Sequence, residues 1–98
     1  MNNEKLIQLA QALQPEKEQL AACWNLIIRG LEVGWLDSDD LNELINHLLE
    51  GNDYGVQELG FELIGDNLCV SFLDEDVYCS PEDIVEQLQK LIQSYGSG

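Results

Sequence analysis

Two neighbouring stretches of the chain alternate apolar and polar residues with period two. Leu59, Phe61 and Leu63 are separated by Gly60 and Glu62, and Leu68, Val70 and Phe72 by Cys69 and Ser71. This is the pattern of strands with one dry face. Gly65-Asp66 between them predicts a two-residue type II′ turn with glycine first. That turn sets Leu63 opposite Leu68, Phe61 opposite Val70 and Leu59 opposite Phe72. All six then share one face, and a slip of one residue would scatter them. A second turn at Asp74-Glu75 predicts Val77 opposite Phe72 and Cys79 opposite Val70. Residues 56–79 are therefore expected to form a three-stranded antiparallel meander.

The flanking segments carry helical periodicity. Leu6, Leu9, Ala10 and Leu13 predict a short helix over 3–13, too short to persist without a neighbour. Pro15 suits the first turn of a second helix that runs to about Leu31, with Leu20, Trp24, Ile27 and Leu31 as its stripe. Gly30 and Gly34 bracket its end. Asp37 or Ser38 is the expected cap of a third helix, with Leu41, Leu44, Ile45 and Leu48 inward and Gly51 as its stop. Residues 52–55 are expected to be a loop. Ser80 and Pro81 open a last helix whose stripe is Ile84, Leu88, Leu91 and Tyr95. The fold class expected is α+β: three helices, a three-stranded antiparallel meander and a C-terminal helix, with the helices packed on one sheet face.

Length and composition set this in one compact domain, 1–98. A chain of this size buries only about 60–65% of its unfolded surface, and an apolar fraction of 45% suits a globular core. Charge changes the picture. Nineteen acids face four bases, for a net charge of −15, and no lysine or arginine occurs between residues 30 and 89. Such a field repels nucleic acid and anionic lipid and steers basic surfaces toward the protein. No direct nucleic-acid or membrane partner is expected.

The three cysteines, Cys23, Cys69 and Cys79, have no framework spacing. Cys69 and Cys79 fall on opposite faces of adjacent strands, so no disulfide is expected between them. Free buried thiols fit the cytoplasm. The N-terminal stretch has no apolar run long enough for a signal peptide, and Ser97-Gly98 is read as a frayed end.

Candidate chemistry is sparse. His47 lies among Glu43 and Glu50 with no nucleophile in context. Asp37, Asp39, Asp40 and Glu43 depart from a calcium-loop pattern, since Leu41 and Asn42 stand where a ligand and a glycine are needed. The glycines form no phosphate loop. No enzymatic activity, cofactor, catalytic metal or structural zinc is expected. The function expected is a small acidic protein-binding module, an adaptor or regulatory subunit, acting as monomer or homodimer on a partner with a basic surface. The alternative is a nucleic-acid mimic or immunity-type inhibitor of a basic nuclease or toxin. Trp35, with Val33 and Leu36, is the candidate apolar anchor, and stays open between a satellite of the core and a contact surface. Asp37, Asp39 and Asp40 are its candidate acidic rim. On the sheet face away from the helices, Glu62, Leu73 and Tyr78 complete the candidate partner-binding set.

Overall fold

The structure, a computed structural model, describes residues 3–96. Ser97-Gly98, the expected frayed end, lies outside the described residues. Helices α1 (Glu4–Ala12), α2 (Glu18–Glu32) and α3 (Ser38–Leu49) precede strands β1 (Tyr54–Val56), β2 (Leu59–Ile64), β3 (Asn67–Phe72) and β4 (Glu75–Cys79), and α4 (Pro81–Gly96) follows. The strands form one antiparallel meander in the order β1-β2-β3-β4. Helices lie on one face of it, as the α+β reading expects.

The β2–β3 register is the expected one, with Leu63 opposite Leu68, Phe61 opposite Val70 and Leu59 opposite Phe72. Gly65 at its turn has φ +61°, a conformation that glycine adopts without strain. Two details differ. Tyr54 and Gly55, expected as loop, belong with Val56 to a strand, Tyr54–Val56, that pairs with Leu59–Phe61. It is too short for its alternation to register.

The β3–β4 turn also lies one residue earlier, at Leu73-Asp74. Val77 therefore sits opposite Val70 and Cys79 opposite Leu68. The register moves by two residues, so both side chains keep the helix-facing side. The shift forces Leu73 to φ +55°, a strained choice for leucine. In return Glu75 stands opposite Phe72, where Arg29 bonds its carboxylate at 2.8 Å and covers the Phe72 ring at 4.7 Å.

One core joins helices and sheet. Trp24, Ile27 and Leu31 of α2, Leu41 and Leu44 of α3, Ile84 and Leu88 of α4, and Leu59, Phe61 and Val70 of the sheet are all buried in it. Helix α2 begins at Glu18, later than Pro15 suggests, after an extended Lys17 whose amine reaches Asp83 at 2.9 Å. Helix α1 is held through its backbone ends. Asn3 Nδ2 donates to the carbonyls of Leu31 and Leu36, Trp24 Nε1 donates to Ala10 O at 2.8 Å, and Gln87 Nε2 donates to Leu13 O. The Trp24 and Gln87 bonds satisfy carbonyls at the C-terminal end of α1, and Asn3 ties its N-terminal end to the end of α2.

Helices α2 and α3 both end in a Schellman turn. In α2, Trp35 N donates to Gly30 O at 2.9 Å and Gly34 has φ +84°. In α3, Asn52 N donates to His47 O at 2.8 Å and Gly51 has φ +79°. The second turn stops α3 abruptly after Leu48-Leu49 and leaves the end of that helix beside the start of α4.

Candidate functional site

The expected anchor divides between interior and surface. The turn after α2 lays Trp35 on Phe72, with ring centroids 5.1 Å apart. The Phe72 ring thus meets both Trp35 and Arg29, and Trp35 is half-buried. Leu36 is a correction: at 1% exposure it belongs to the core. It packs where a side chain on Gly30 would stand, since a Cβ there would meet Leu36 at 3.0 Å and Leu59 at 2.6 Å. Of the three, Val33 alone is open, at 54%.

Asp37, Asp39 and Asp40 do come together, in the first turn of α3. Asp37 and Asp40 form a capping box, each carboxylate accepting the other's backbone N–H at 3.0–3.1 Å. Two of the three acids therefore have a structural task. Asp40 also accepts from the Tyr54 hydroxyl at 3.4 Å, and Glu43 accepts from the same hydroxyl at 3.2 Å. Burial, and then the Asp37 charge, raise the Asp40 carboxyl above its ordinary value, and burial beside two carboxylates pushes the Tyr54 hydroxyl up.

For Asp40 the sign follows directly. An acid whose folded pKa is raised binds its proton more tightly folded than unfolded. Its destabilising contribution is full above the folded pKa and fades as pH falls towards the unfolded value. Thermal melts should show the midpoint rising as pH falls from neutral through the raised Asp40 pKa towards the ordinary carboxylate range. Asp40→Asn, whose amide oxygen can still accept from Asp37, should remove part of that rise. An unchanged slope in the variant contradicts the assignment.

Glu62 and Tyr78 lie on the helix-free sheet face, one on each side of Cys69. Cys69 beside it raises the Tyr78 hydroxyl above its ordinary value, and Cys69 is buried on this otherwise open side. Leu73 is exposed at its turn and belongs to neither row. Leu36 is thus in the core, and Glu62 and Tyr78 lie on the sheet face away from the helices.

A different surface meets the description of an apolar centre with an acidic rim. The last turn of α3, the far end of β2 and the first turns of α4 enclose a groove of about 480 Å³. Leu48, Leu49, Leu63 and Val85 form its apolar walls, and Glu82, Glu86 and Gln89 stand along its α4 side. Leu49 is 63% exposed. All these residues fall in the span that carries no lysine or arginine.

Consecutive leucines at 48 and 49 were a usable signal for it. One fits the α3 stripe and the other must point elsewhere, and Val85 likewise sits beside the α4 stripe. What the pattern could not reveal is that the ends of α3 and α4 meet.

Comparison with protein-family models, curated proteins and solved structures finds no match. Among the described residues, no group of metal-ligating side chains is assembled, and no helix is long and apolar enough to cross a membrane.

Proposed function

We propose that the chain is a small acidic protein-binding module, an adaptor or regulatory subunit, whose partner presents a basic surface. The observation that carries this reading is the groove between α3 and α4, apolar along its walls and edged by Glu82 and Glu86 with no base among its lining residues. Exposed ion pairs contribute only about 0–1 kcal/mol each. A durable complex needs desolvated apolar contact, and the groove provides a place for it. The surrounding field then speeds encounter and excludes acidic competitors. A nucleic-acid mimic would rely on rows of carboxylates and has little use for such a groove, so the adaptor reading is preferred. Three free buried cysteines support a reducing compartment, the cytoplasm.

The test is quantitative co-purification from native cells of the parent and of a Glu82→Lys/Glu86→Lys variant. A stoichiometric partner with a basic surface should be retained by the parent. Its association should slow with salt, and the variant should lose most of it. Absence of a stoichiometric protein, or equal retention by both, overturns the reading.

A further inference from the structure

Resting on that reading, we infer that the occupant of the α3–α4 groove is an amphipathic helix with an aliphatic face and basic flanks. Three observations lead to it. The first is chemical. The walls are aliphatic, from Leu48, Leu49, Leu63 and Val85, so the anchors that fill them must be apolar.

The second is the sign of the rim. Glu82 and Glu86 lie one helical turn apart on α4. Lys17 is engaged with Asp83. A segment entering the groove meets carboxylates and no lining cation, which selects lysine and arginine beside the anchors.

The third concerns the occupant's backbone. Strand β1 ends its pairing with β2 at Tyr54 opposite Phe61, so the far half of β2 has no strand on that side. This would be a place for an extended peptide to add as a strand. The donor such a peptide would need is taken, because Leu63 N donates to Asp53 Oδ1 at 2.8 Å. An extended segment would therefore bring its own polar backbone into an apolar groove without a full ladder. A helix satisfies its backbone internally and presents side chains at i, i+3 or i+4 and i+7.

The probe is a fluorescent synthetic peptide of about 18 residues, five helical turns, with leucine on one face and lysine elsewhere. Two controls accompany it: a scramble that disperses the leucines, and a version with glutamate for lysine. The protein is compared with Leu49→Asp, chosen because Leu49 is exposed enough to change without unfolding the chain, and with Val33→Asp on the remote surface.

The helical peptide should bind the parent at least about tenfold more tightly than either control, and Leu49→Asp should weaken it by at least about tenfold. Val33→Asp should leave it unchanged. Bound peptide should gain helical circular dichroism and shift the amide resonances of Leu48, Leu49, Leu63 and Val85. Equal binding of helical and scrambled peptides overturns the inference, since charge alone then suffices. Loss of binding in Val33→Asp with Leu49→Asp silent moves the site and overturns the groove, while the protein-binding reading stands. If no peptide binds although a native partner co-purifies, the helical occupant is wrong and the broader reading survives. If neither occurs, both fall.

Discussion

Replacing Phe61 by alanine should lower the unfolding free energy by about 3–5 kcal/mol, through lost transfer free energy and the cavity left behind. Phe61 is 1% exposed, at the centre of the sheet's inner face, opposite Tyr54 on one side and Val70 on the other. The Tyr54 ring lies 6.3 Å from it. Neighbouring strands fix the backbone on both flanks, so the site has little freedom to collapse. Urea denaturation of parent and variant measures the difference. A change below about 0.5 kcal/mol would place Phe61 outside the core and undo the register argument.

Trp24→Ala is expected to be as damaging, about 3–5 kcal/mol, with a different local signature. Trp24 is fully buried, and its indole N–H holds the Ala10 carbonyl of α1. Truncation opens the space between α1 and α2 and leaves that carbonyl with only the long 3.3 Å bond from Leu13 N. Helix α1 is nine residues long and depends on its neighbours. Amide hydrogen exchange over residues 4–12 should therefore accelerate more than exchange in the sheet. Trp24→Phe separates the two causes. It keeps most of the apolar volume and loses the hydrogen bond, so its cost should be about 1–3 kcal/mol. Uniform exchange across the chain in Trp24→Ala would show that α1 is not held through this residue.

The inner face of the sheet was legible because two-residue periodicity and a Gly-Asp turn agree on one register. Helix stops at Gly34 and Gly51 were equally plain, since each supplies the positive φ that a Schellman turn requires. The β3–β4 turn was not legible. Leucine is a poor residue for positive φ, so nothing local marks Leu73 for the turn, and the contacts that accompany it, Arg29 binding Glu75 and covering Phe72, are tertiary. Helix α2 starts late in the same way, after an extended Lys17 whose contact with Asp83 across the fold the local pattern does not carry.

The candidate site shows the same division. Charge could be counted from the chain, and Val33, Leu73 and Tyr78 are exposed. The fate of Leu36 depended on Gly30, whose missing side chain opens the space that Leu36 fills. The groove depends on two helix ends meeting, and no local pattern encodes that.

The central claim is that partners meet this chain at the α3–α4 groove. A photo-crosslinking amino acid placed in native cells at Leu49, at Val33 and at Tyr78 in turn tests it most directly. The account predicts a crosslink from position 49 to one protein, mapping to a helical segment with aliphatic anchors and basic flanks, and little product from positions 33 and 78. Crosslinks arising from position 33 or 78 with position 49 silent would contradict it.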